Sequence, residues 1–146
     1  MGSLSEITVS YNPKIKLNEC PQVKSSQDAY DLLLKNWNED IQLRESFYIM
    51  LLNKANRVKG ISLISSGGID GTIADIKIIF AIAVKTLSSS IILSHNHPSG
   101  SLKPSNPDIA LTKKTREAGE ILGVKVLDHL IVTLDSYYSF TDEGML

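Results

Sequence analysis

Cysteine is almost missing from this chain. Cys20 is the only one among 146 residues. That excludes an intrachain disulfide framework and any metal site built from a thiolate cluster. Cys20 itself reads as an ordinary thiol in a loop or in the core. A surplus of charge is also missing. Fifteen Lys and Arg stand against sixteen Asp and Glu, a formal net charge of −1, which is too little positive charge to hold a nucleic-acid backbone. A local basic patch around Lys113, Lys114 and Arg116 is the one exception in reach. No long apolar run is present: the most apolar stretch, around residues 76–84, contains Lys77 and is too short to span a bilayer. The start "MGSLSEITVS" lacks the charged and apolar regions of a signal peptide, so a cytoplasmic location is the default expectation. There is no internal repeat and no low-complexity tract. An HExxH pair is absent, which excludes a zincin helix. No HxE with a downstream PCxxC appears, which argues against a zinc nucleobase deaminase.

What is there is an ordinary globular composition, 42% hydrophobic and 21% charged, in a chain long enough to bury a core as one domain. The division expected is an N-terminal arm or edge strands over 1–24, then a domain over 25–146. "EITVSYNPKIKL" alternates like a strand around an Asn12-Pro13 turn and reads as an edge hairpin or a partly ordered arm. Ser25 opens a helix with Asp28 as its capping-box partner, and Ala29, Leu32, Leu33 and Trp37 supply its apolar stripe. "ESFYIMLLN" over 45–53 is a buried strand, and "VKGISLISSGG" a second that ends in a glycine pair. Residues 73–87 form an apolar helix buried through Ile76, Ile79, Phe80 and Ala83. "SSIILSH" is a third strand, 105–122 a helix stopped by Gly123, and "VKVLDHLIVTL" and "YYSFTDEG" a closing antiparallel pair. Strands alternating with helices predict an α/β fold, a mixed sheet sandwiched by helices in two or three layers.

The chemistry gathers at "SIILSHNHPSG". Residues two apart on a strand point to the same side. His95 and His97 therefore project together from the carboxyl end of a central strand, where open α/β sheets place their sites. An HxH pair alone fits a structural role as well as a metal site. The loop "PSGSLKPSNPD" follows and delivers Ser105 and Asp108 at a helix start, where Ser105 as N-cap and Asp108 three residues on make a capping box. Asp108 is also placed to offer its carboxylate to a metal held by the histidines. Two histidines, one carboxylate and an open fourth position describe a catalytic zinc site, whose bound water would have a pKa near about 7.

Hydrolysis also needs an acid/base that is not a ligand. Of the seven glutamates, Glu45 stands out because it opens an apolar strand. It reads either as an inward-pointing carboxylate or as a solvent-facing strand end, and spacing leaves both open. His129 reads as a structural core histidine or as a group behind the ligands, and Asp128 as its partner or as a helix cap. Asn96, between the ligands, should point away and serve structure. "SSGG" over 65–68 reads as a turn, or as a rim of the cleft.

His95, His97, Ser105 and Asp108 together spell HxH, seven residues, Ser, two residues, Asp. This resembles the JAMM (MPN) metalloprotease signature. With "HNHPSGSLKPSNPD", "LGVKVLDHLIV" and "ESFYIMLLN", the stretch from Ser26 to Leu146 resembles bacterial RadC proteins. The resemblance implies a cytidine-deaminase-like α/β sandwich. It also implies one zinc ion held by His95, His97 and Asp108 with a water as fourth ligand. Glu45 would then be the acid/base, and Ser105 the hydroxyl that steadies the water or the oxyanion. Longer RadC proteins carry a helix-hairpin-helix region, for which the stretch before Ser25 is too short.

The function expected is zinc-dependent hydrolysis of an amide or peptide bond in a peptide or protein substrate. The alternative is a DNA repair or recombination accessory module whose metal site is not proteolytic, which the near-neutral charge does not favour. The arm's edge strands are candidates for forming a homodimer.

Overall fold

A computed structural model describes residues 2–67 and 74–146. Gly68, at the end of "SSGG", and Ile73, at the expected start of the apolar helix, lie outside the described residues.

The core elements are α1 (Ser26–Asn36), β1 (Ser46–Leu52), β2 (Val58–Ser66), α2 (Ile76–Lys85), β3 (Ser90–Asn96), α3 (Asn106–Leu122), β4 (Lys125–Val132) and β5 (Tyr137–Ser139). They build one five-stranded sheet in the order β2-β1-β3-β4-β5. β3 and β4 are parallel, joined by the crossover helix α3; the other neighbours are antiparallel. Residues 2–16 make neither strand nor hairpin. Their alternating apolar side chains lack a face to bury: Leu4, Ile7 and Val9 are exposed. The chain is first tied down at a short 3-10 turn, Leu17–Glu19, beside buried Cys20, and at a bridge between Gln22 and Arg57.

Strand alternation sorts the core into two layers, one on each face of the sheet. Phe47, Ile49 and Leu51 of β1 join Ile91 and Leu93 of β3 against Ile79, Phe80 and Ala83 of α2, with Leu111 and Ala118 of α3 packed alongside. Met50, Leu52, Ile92, Leu130 and Val132 face the other way, onto Ala29, Tyr30 and Leu33 of α1. The result is a three-layer α/β/α sandwich, α1 on one side and α2 with α3 on the other. Tyr30 joins the α1 stripe as a buried member that the apolar pattern missed, and its hydroxyl donates to the Thr133 carbonyl at 2.7 Å.

The helix ends follow their capping chemistry. Ser25 accepts from the Asp28 N–H, as a capping box requires, but the Asp28 carboxylate reaches one residue further back than expected, to the Lys24 N–H at 2.9 Å. α3 has the full reciprocal box between Ser105 and Asp108 and ends at Gly123 with φ 72°, the left-handed conformation that favours glycine.

One irregularity matters for the site. Ile91 pairs with Val126 and Ile92 with Asp128, so Leu127 is an extra residue in β4. Such a bulge shifts the alternation by one. Val126 faces α2 and α3, Leu127 and Leu130 pack on the α1 side, and His129 returns to the face of α3, where it meets Thr112.

Candidate metal centre

Three elements deliver the side chains. His95 is the penultimate residue of β3 and His97 follows its end. Both continue the face that Ile91 and Leu93 occupy, toward α3. Asp108 comes from the first turn of α3, anchored by its cap. Glu45 immediately precedes β1, and the antiparallel register explains its arrival. Phe47 pairs with His95, so two residues back along β1 and two forward along β3, Glu45 stands opposite His97. The register removes the solvent-facing reading of Glu45.

The distances are short. His95 Nε2 and His97 Nε2 lie 3.0 Å apart. Asp108 Oδ2 is 3.3 Å from the first and 3.5 Å from the second. Glu45 Oε1 is 3.8 Å from His97 Nε2. The ligand atoms of Glu45, His95 and His97 fall within 4.8 Å of one another, a group that could hold a metal ion. Two carboxylates thus reach the histidine pair, and Asp108 is the nearer.

Hydrogen bonds behind the site settle which nitrogens carry protons. Thr112 Oγ1 has one hydrogen, and the Asp108 carbonyl, which can only accept, lies 2.7 Å away. The same Oγ1 is 2.6 Å from His129 Nδ1, so Nδ1 must be the donor there. His129 is fully buried, and burial pushes its pKa well below the ordinary histidine value, with the nearby His95 adding to the effect. Burial thus favours its neutral form, in which Nε2 is bare and accepts from His95 Nδ1–H at 2.8 Å. His97 Nδ1 likewise donates to the Ser101 carbonyl at 2.8 Å. In the neutral imidazoles both Nε2 atoms then present lone pairs to each other and to the Asp108 carboxylate.

Three lone pairs aimed at one point repel unless a cation lies among them. A proton supplies this in part. Burial works against the charged form of His97, but the bond from Asp108, the Ser101 carbonyl and the nearby Glu45 outweigh it and raise its pKa. Asp108, for which burial alone would favour the protonated form, is instead held far below the usual carboxylate range by the two histidines. A divalent cation answers the same arrangement without a proton on either Nε2, and the donor set of two imidazoles and a carboxylate suits zinc.

The remaining sequence candidates fall into place around this centre. Ser105 accepts the Asp108 N–H at 3.1 Å, while Asp108 Oδ2 accepts the Ser105 N–H at 2.8 Å. The carboxylate therefore caps the helix and faces the histidines with one and the same oxygen. Ser105 is an acceptor in its bond, so its hydroxyl proton is available.

His129 is both a core residue and the partner of a site histidine. It stacks on Phe140 with ring centroids 4.7 Å apart. Asp128 does not pair with the His129 ring or cap a helix. Its carboxylate accepts from Ser139 Oγ and from the N–H groups of His129 and Thr141, which ties β4 to the C-terminal turn. Burial raises the Asp128 pKa in spite of those bonds. Thr112 carries no sequence signal of its own; only its place one helical turn after Asp108 hints at a shared face.

Comparison with known proteins gives this geometry a family. The model of the RadC-like JAB domain matches residues 23–145. A UPF0758 protein of Flavobacterium johnsoniae is 44% identical over 124 residues, which are 85% of this chain and 53% of that protein. Another from Porphyromonas gingivalis is 43% identical over 104 residues, 70% of this chain and 46% of that one. A third, from Alkaliphilus metalliredigens, is 41% identical over 125 residues, 86% and 53%. The chain thus spans about half the length of the curated relatives it matches. No helix among the described residues is long and apolar enough to cross a membrane. With the family model matched over residues 23–145 of the chain and relatives above two-fifths identity, the chain belongs to the RadC-like JAB domain family.

Proposed function

We propose that this domain is a zinc-dependent hydrolase that cleaves an amide or peptide bond with water. The observation that carries the reading is the convergence of two histidine Nε2 lone pairs and the Asp108 carboxylate, with tautomers fixed from behind by His129 and Ser101. His95, His97 and Asp108 would hold the ion, because Asp108 is nearer to both nitrogens than Glu45 is to His97. When bound, zinc supplies a water made acidic enough to give hydroxide near neutral pH, and it polarises the substrate carbonyl.

The chain's own groups do the rest. Glu45 takes the proton of the attacking water and delivers it to the leaving amine, a role that suits a carboxylate beside the ligands rather than among them. Ser105 donates its hydroxyl proton to the developing oxyanion. Asp108 is locked by its cap, so the carboxylate does not swing when charge moves. Peptides or proteins are the substrate class this chemistry fits.

The test is elemental analysis followed by capture. The purified protein should hold one zinc, and His95→Ala should lose it. Zinc-loaded Glu45→Gln, incubated with cell lysate, should retain peptides or proteins. Recovery of DNA in place of peptide would replace this reading with that of a DNA repair accessory module. Wild-type protein that takes up no metal would overturn it.

A further inference from the structure

We propose that Asn96, the residue between the two histidines, positions Glu45 for its role at the metal centre, an inference that rests on the function proposed above. Because His95 and His97 face α3, Asn96 must face the opposite side of the sheet. There it is fully buried. A buried primary amide needs partners for its carbonyl and both amino hydrogens. Asn96 finds all three in one short piece of backbone. Its Oδ1 accepts from the Ser46 N–H at 2.7 Å. Its Nδ2 donates to the Ile41 carbonyl at 2.6 Å and to the Arg44 carbonyl at 2.9 Å.

Residues 44 and 46 are the neighbours of Glu45. One side chain therefore grips the backbone on both sides of the proposed acid/base, from the strand end that lies between the two histidines. The segment before β1 is a turn, held within itself by bonds from the Leu43 and Arg44 N–H groups to the Asp40 carbonyl. On the far side, the Glu45 carbonyl accepts the Gly67 N–H at 2.9 Å. The β1–β3 register brings Glu45 opposite His97, and Asn96 ties the backbone on either side of it to the strand that carries His95.

The chemistry is specific to asparagine. Aspartate has no hydrogen to donate and would set its charge against two carbonyls. Alanine takes this partner from the buried Ser46 N–H and from the Ile41 and Arg44 carbonyls, and glutamine is longer by one methylene. Asn96 touches neither metal nor substrate in this scheme; it acts through Glu45.

Cobalt(II) loaded in place of zinc gives a visible spectrum that reports what surrounds the open coordination position. The wild type, Glu45→Ala, Asn96→Ala and the double variant would be compared. Asn96→Ala should still bind one cobalt, and its spectrum should shift to that of Glu45→Ala. The double variant should add no further shift. A spectrum of Asn96→Ala identical to wild type, while Glu45→Ala shifts, overturns this inference alone. No shift with Glu45→Ala, or no cobalt bound by the wild type, overturns the functional reading beneath it.

If Asn96→Ala does not fold, amide hydrogen exchange in the wild-type protein decides. The Ser46 N–H, at the first residue of its strand, should be as protected as the interior of β1. Exchange at the rate of a frayed strand end rules the clamp out.

Discussion

Each imidazole of the centre has its second nitrogen committed. His97 is held by a backbone carbonyl of its own loop. His95 is held by His129, which is held in turn by Thr112, whose proton goes to the carbonyl of Asp108. The path returns to the site, since the carboxylate of the same Asp108 faces His95. Orientation and tautomer of one histidine are thus set by a closed ring of side chains from β3, β4 and α3. Removing such partners typically weakens metal binding about 10- to 100-fold. His129→Ala should lower zinc affinity by that order, read by competition with a chromophoric chelator. Thr112→Val should weaken it in the same direction, because the tautomer of His129 is then no longer specified. Unchanged affinity in both variants would show that the ring does not orient His95.

At the level of elements, α3 carries the site at one end and the return to β4 at the other. Its start is fixed by the Ser105–Asp108 box and its end by Gly123. Between them Gly119 has a different task. A Cβ there would lie 2.3 Å from the Val124 carbonyl oxygen, so the chain entering β4 passes against the helix backbone where only hydrogen fits. The Val124 N–H donates to the Gly119 carbonyl at 2.9 Å across the same contact. Gly119→Ala gains helix propensity yet must push backbone aside. A net loss of roughly 1–3 kcal/mol is expected from such overpacking, measured by urea unfolding. A neutral or stabilising result would mean that the close approach relaxes at little cost.

For the whole molecule, the proposed metal site would link stability to metal through protons. In the metal-free protein the pKa of His97 is raised: burial opposes the charged form, and Asp108 with the Ser101 carbonyl outweighs it. A raised histidine contributes stability that is fully present below about 6.5, its unfolded value, and is lost as pH rises through the folded value. A metal bound there would have to displace that proton, so its affinity should rise over the same range. Zinc at about 100 times its dissociation constant adds roughly 2.7 kcal/mol to folding stability. Melting temperatures with zinc and with a chelator should therefore differ, and the gap should widen from acid toward alkaline pH. His95→Ala should close it. A gap that is absent, or independent of pH, contradicts the linkage.

Much of this was open to inspection in the amino-acid order, for a physical reason. His95, His97, Ser105 and Asp108 lie within fourteen residues, and strand alternation plus a helix cap suffice to bring them near one another. Amphipathic periods and the punctuation by Gly123 likewise place helices and strands with local rules. What local rules do not carry is register. Glu45 lies fifty residues before His95 and comes opposite His97 because Phe47 pairs with His95. His129 reaches the site face only because Leu127 bulges out of the ladder. Thr112 and Asn96 become part of the centre through bonds that cross the sheet or join it to a helix. The alternating arm before Leu17 shows the converse: its pattern has strand character, yet among the described residues no strand pairs with it. Spacing determined which side chains could gather at one site; only packing decided which of them face one another, which are held from behind, and which point elsewhere.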